Sequence, residues 1–127
     1  MKRETENWLK LANNDLKVAE TLFKEGLYIN VIEHTHAALE KSIKGLIAEQ
    51  KDIQPPKVHD LLKLVALTLI ENVQEETKRT LDELNDLYLS TRYTDDFDKL
   101  IKILHSDKVK DIFERSKEVF KWIQKKL

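Results

Sequence analysis

The sequence predicts an all-α fold, an up-and-down antiparallel bundle of four to five helices, and three observations carry that prediction. Apolar residues recur three and four positions apart over long stretches, the period of a helix with one buried face. Only two glycines and two prolines are present, too few to turn a chain between the strands of a sheet. Gly26 and both prolines fall between the periodic stretches, where helices must stop. At 127 residues the chain is expected to form one domain, 1–127, with a single core.

In order along the chain, Glu4 to Lys24 carries Trp8, Leu11, Ala12, Leu16, Ala19, Leu22 and Phe23 at helical spacing, and Gly26 supplies the stop. A second long helix, Ile29 to about Gln50, places Ile32, Leu39, Ile43 and Leu46 on one stripe together with His36, and returns antiparallel to the first. Asp52 to Lys57 breaks the helix, because Pro55 and Pro56 fix φ and push the residue before each out of the α region. A shorter helix opens at His59-Asp60 and runs to about Ile70, with Leu61, Leu64, Val65 and Leu69 inward. A fourth, from about Gln74 to Thr91, buries Leu81, Leu84, Leu87 and Tyr88. Tyr93 to Ser106 is irregular or holds one short helix around Phe97 to Leu104. Ser106-Asp107 caps a last helix facing Val109, Ile112, Phe113, Phe120 and Ile123 inward, with Trp122 at its edge or at a dimer contact.

Composition excludes several classes of function. Without cysteine there is no disulfide framework, thiolate metal site or cysteine nucleophile. A net charge of -1, from 22 basic and 23 acidic residues, argues against a general electrostatic binder of nucleic acid. The N-terminus lacks the apolar core of a signal peptide, and no apolar run approaches the ~18 residues that span a bilayer, so a soluble cytoplasmic protein with no membrane contact is expected.

The candidate chemistry gathers near the end of the fourth helix. Asn85, Tyr88 and Arg92 share one helical face, and a guanidinium there suits phosphate, carboxylate or partner recognition. The plainer reading of an isolated arginine is that it tethers the last carbonyls of its helix or pairs with Asp95 or Asp96. His34 and His36, two apart, point to different faces and do not form a metal pair; His36 fits a hydrogen-bonded histidine inside the bundle or its seam. His59 reads most simply as a cap or loop-packing residue. Glu33, Glu40 and Lys44 form a polar ridge on helix two, solvated or functional, with Glu40 and Lys44 in the favourable order for an ion pair. No glycine-rich phosphate loop or nucleophile motif occurs, so a mononucleotide is held, if at all, by side chains and helix ends.

Three strings stand in register: Ala38-Leu39-Glu40-Lys41-Ser42-Ile43-Lys44-Gly45-Leu46, Pro55-Pro56-Lys57-Val58-His59-Asp60-Leu61, and Leu87-Tyr88-Leu89-Ser90-Thr91-Arg92-Tyr93. Together they resemble the HEPN family, the higher eukaryote and prokaryote nucleotide-binding domain, with its A-x-E-K-x-x-K, P-P-x-x-H-D-L and R-Y-P-D-like segments. The resemblance implies a helical bundle, usually a homodimer, often paired with a minimal nucleotidyltransferase as a toxin–antitoxin-like module. Members that cut RNA without metal carry an Arg followed four to six residues later by a His. Here Arg92 is followed by Tyr93, Thr94, Asp95, Asp96, Phe97 and Asp98, and the next histidine is His105; Thr94 stands where the family has proline. That departure argues against ribonuclease activity.

The expectation is therefore a non-catalytic HEPN-like domain that binds a nucleotide such as ATP, or a nucleotidyltransferase partner, as a homodimer without metal or cofactor. By resemblance its polar cleft is Glu40, Lys41, Lys44, His59, Arg92 and Tyr93, with Arg92 and Lys44 on phosphate, Tyr93 stacking on a base or donating its hydroxyl, and Glu40 and His59 orienting them. The alternatives are a divergent ribonuclease using Arg92 with His59 or His105, and a plain oligomeric adaptor; RNA contact is the weaker expectation.

Overall fold

The computed structural model describes residues 1–127 and contains six helices, α1 (Arg3–Lys24), α2 (Tyr28–Gln50), α3 (Leu61–Ala66), α4 (Glu75–Tyr93), α5 (Phe97–Ile103) and α6 (Ser106–Gln124). Four are long and two short, an all-helical bundle as the periodicity implies. α2 is its axis. It packs against α1, α3, α4, α5 and α6, and every residue from Ser42 to Ala48 is buried. A helix enclosed by neighbours on all sides has no solvent face to keep polar, which is why its stripe broadens toward the C-terminus.

α1 and α2 run antiparallel and are fastened at both ends. At the turn, Gly26 adopts φ +74°, while its N–H donates to the Phe23 carbonyl and that of Leu27 to the Leu22 carbonyl, 3.1 and 3.0 Å. That pair of bonds satisfies the last carbonyls of α1 in the Schellman arrangement, which requires a left-handed residue. At the far end the Lys2 ammonium donates to the Ala48 and Lys51 carbonyls at 2.9 and 3.3 Å, and the Lys2 amide to Glu49 at 2.9 Å. Bonds from that amide and from the Thr5 hydroxyl hold the Glu49 carboxyl below the usual carboxylate range. Between the ends, Ala12, Ala19 and Gly45 let the backbones approach closely; a Cβ on Gly45 would lie 3.2 Å from Trp8 Cβ.

Several expectations change against the packing. Leu11 is half exposed, because the stripe of α1 that meets α2 is the narrow row through Ala12, Asp15 and Ala19. The third helix ends at Ala66 rather than Ile70, and Leu69 points outward at 66% exposure. There the Thr68 hydroxyl donates to the Val65 carbonyl at 2.6 Å, and the Leu69 amide donates to the Gln50 side chain at 2.7 Å; these bonds replace the next helical turn. α4 extends to Tyr93. α6 begins at Ser106 with His105, not Ser106-Asp107, as its N-cap, the imidazole accepting from the Lys108 amide at 3.4 Å. α4 and α6 also run antiparallel: Arg115 donates to Glu83 at 2.7 Å and to the Thr80 hydroxyl at 3.3 Å. The inward residues expected of α6 are all buried, and Trp122 sits half-buried at its edge. No helix is long and apolar enough to cross a membrane.

Candidate functional site

On α2, residues 36, 40 and 44 stack along one face by helical repeat, with Glu33 and Ala37 beside them. α4 presents Asn85, Tyr88 and Arg92 on one side by the same rule, and the start of α3 brings His59 and Asp60 against both. The two faces meet through aromatic and amide contacts. The His36 imidazole stacks on the Tyr88 ring with centroids 3.9 Å apart and planes 7° from parallel, and the Arg92 guanidinium lies over the same ring at 5.8 Å.

Asn85 sets the tautomer of His36. Its Oδ1 accepts from the Leu61 amide at 3.1 Å and lies 3.3 Å from His36 Nε2, while its amide donates to Asp60 at 3.1 Å. An oxygen already held this way accepts again, so His36 carries its proton on Nε2. Burial pushes the His36 pKa down to about 4, against the opposing pull of the Glu40 charge and the Asn85 bond, so the ring is neutral near pH 7. Asp60 also caps α3, accepting from the Leu62 and Lys63 amides at 3.0 and 3.2 Å.

Glu40 is the hub beneath. One oxygen lies 2.9 Å from His59 Nδ1 and the other accepts from Lys44 at 3.0 Å. The expected Glu40–Lys44 ion pair is therefore present, but it is no solvated ridge, since the two side chains are 13% and 8% exposed. The Lys44 ammonium turns toward the Trp8 ring, 5.8 Å from its centroid. On the α1 side, buried Asp15 pairs with both Lys41 and His34.

These groups surround a cleft of about 350 Å³ lined by Asp15, Glu33, His34, His36, Ala37, Glu40, His59, Tyr88 and Arg92. Of the residues expected there, Glu40, His59 and Arg92 come together. Lys41 and Lys44 do not line it, being engaged with Asp15 and Glu40. Tyr93 lies outside at 82% exposure, and His105 is occupied by its helix cap. Arg92 is exposed and does not pair with Asp95 or Asp96, the latter capping α5 through the Lys99 amide at 3.1 Å. A roomier cleft of about 420 Å³ lies by Lys2, Trp8 and Pro55, but the Lys2 ammonium there closes the end of α2. No group of histidines and acids is arranged to hold a metal ion.

Sequence reasoning left Asp15 out of the site and weighed His34 only as a metal ligand. Asp15 had a signal: a charged residue in phase with Ala12 and Ala19 on an apolar stripe needs a partner.

A family model described as the HEPN domain matches residues 5–127. The crystal structure of TT1696 from Thermus thermophilus aligns with a TM-score of 0.83 at 21% identity, covering 99% of this chain and all of that one. The crystal structure of ST0689, an archaeal HEPN homologue, aligns with a TM-score of 0.75 at 20% identity, over 98% of this chain and 97% of its own. At such identities the two structures speak to fold alone. No curated protein sequence matches the chain.

Proposed function

The chain belongs to the HEPN family, and on that premise we propose that it is a non-catalytic domain whose cleft between α2 and α4 binds a nucleotide. The supporting observation is Arg92. It is the one cation lining the cleft that has no ion pair, and it is steadied over the Tyr88 ring while Lys41 and Lys44 are engaged elsewhere. A fixed fork of donors next to open space is suited to a phosphate. In this reading Glu40 positions His59, and Lys44 holds Glu40 from behind. The exposed apolar residues Leu89, Tyr93, Phe97 and Ile101 support a partner surface beside the site, for a second copy of the chain or a minimal nucleotidyltransferase in a toxin–antitoxin-like pair.

Isothermal titration calorimetry with ATP, GTP and a short single-stranded RNA, on the wild type and Arg92→Ala, tests the reading. Saturable nucleotide binding that is lost in Arg92→Ala is the expected result. If no ligand binds, the nucleotide reading fails and an adaptor role replaces it.

A second reading rests on the His59–Glu40 pair. With its Nδ1 proton donated to Glu40, His59 keeps Nε2 open to take a proton, in a cleft that Arg92 also lines. RNA cleavage that persists in chelator and disappears in both His59→Ala and Arg92→Ala would make the protein a metal-independent ribonuclease.

A further inference from the structure

Resting on the nucleotide reading of the cleft, we propose that the base it selects is guanine, read by the Glu33 carboxylate while Arg92 holds the phosphate. Three carboxylates line the cleft, and two of them are compensated. Asp15 has Lys41 and His34, and Glu40 has Lys44 and His59. Glu33 has neither a cation nor a histidine. Its partner is the neutral amide of Asn30, which donates to Oε1 at 3.0 Å. That bond orients the carboxylate and leaves Oε2 and a lone pair of Oε1 for a ligand.

The cleft thus offers one uncompensated anion and one uncompensated cation, and its occupant must bring hydrogen-bond donors to the first and an anion to the second. Stacking on Tyr88 does not choose the base, because His36 covers a face of that ring and the Arg92 guanidinium lies over the ring as well. The choice falls to the base edge. Guanine presents two adjacent donors on its Watson–Crick edge, N1–H and N2–H, which a carboxylate accepts side by side. Adenine and cytosine each set a ring-nitrogen lone pair beside their amino group, and uracil flanks its single N–H with two carbonyls. Those lone pairs would oppose the Glu33 oxygens.

Calorimetric titration of the full chain with GTP, ITP and ATP, for wild type, Glu33→Gln and Arg92→Ala, tests the assignment, with circular dichroism confirming that each variant is folded. GTP is expected to bind about tenfold or more tighter than ATP. ITP, which keeps N1–H and lacks the amino group, should fall between. Glu33→Gln should bring GTP to the level of ATP without weakening ATP, and Arg92→Ala should weaken all three. Equal affinity for GTP and ATP in the wild type, or a preference that survives Glu33→Gln, overturns the guanine assignment and leaves the cleft reading standing. Failure of all three nucleotides to bind the wild type overturns both.

Discussion

His36 and Tyr88 join α2 to α4 face to face, ring centroids 3.9 Å apart, with His36 only 1% exposed. The contact ties a titratable group to the packing of the two helices that form the cleft, and it makes stability depend on pH. Unfolded, His36 takes up its proton near pH 6.5; folded, it does so only near pH 4. Between those values the unfolded chain binds a proton that the native chain does not, so acidification favours unfolding. The contribution is whole above pH 6.5 and falls by about 3 kcal/mol as the pH drops to 4. Urea unfolding at steps from pH 7 to 4 should show wild type losing that much more than His36→Gln, which cannot titrate there. Parallel losses in the two proteins would refute it.

The Glu40–Lys44 pair makes the second prediction. Both side chains are largely buried, and removing Lys44 leaves the Glu40 charge with only the exposed His59 hydrogen-bonded to it. Lys44→Met should cost about 3 kcal/mol in urea unfolding, and adding Glu40→Leu should recover part of it. Equal costs for Lys44→Met and for the solvent-exposed Lys78→Met would contradict that.

The close approach at Gly45 makes the third. A methyl group there meets Trp8 Cβ at 3.2 Å, an atom fixed to the α1 backbone that cannot swing away. The strain of about 1–3 kcal/mol outweighs the helix propensity of about 1 kcal/mol that alanine adds. Gly45→Ala should therefore lower Tm by a few degrees. Gly26→Ala should lower it through φ alone, since nothing lies within 4 Å of the added carbon.

The fourth concerns the exposed apolar residues of α4 and α5, Leu89, Tyr93, Phe97 and Ile101. If a second copy covers it, Tyr93→Asp with Phe97→Asp shifts sedimentation toward the monomer while leaving helix content unchanged. An unchanged sedimentation coefficient would place any self-association elsewhere.

The long helices were legible because α1, α4 and α6 each bury one periodic face against a neighbour, as α2 does before it becomes enclosed at Ser42, so the packing and the pattern report the same thing. The end of α3 was not, since it is decided by Thr68 and by Gln50, a side chain nearly twenty residues away. Helical spacing placed Asn85, Tyr88 and Arg92 together, and the structure keeps them so. Spacing could not say that Lys44 turns to Trp8 rather than the cleft, nor that Tyr93 falls on the outer side of the last turn of α4. Those directions depend on which neighbour arrives on each flank, a tertiary fact with no local signature.

The fastening of α1 to α2 at both ends also bears on how the molecule is made. All of those bonds lie within residues 2–52 and need no group from α4 or α6, so this hairpin can close while those helices are still on the ribosome. Asp15, Glu33, His34, His36 and Glu40 belong to that early unit, whereas His59, Tyr88 and Arg92 arrive later. The cleft is thus a seam between two stages of synthesis. Its acidic wall exists first, and its guanidinium is added only once α4 has been made.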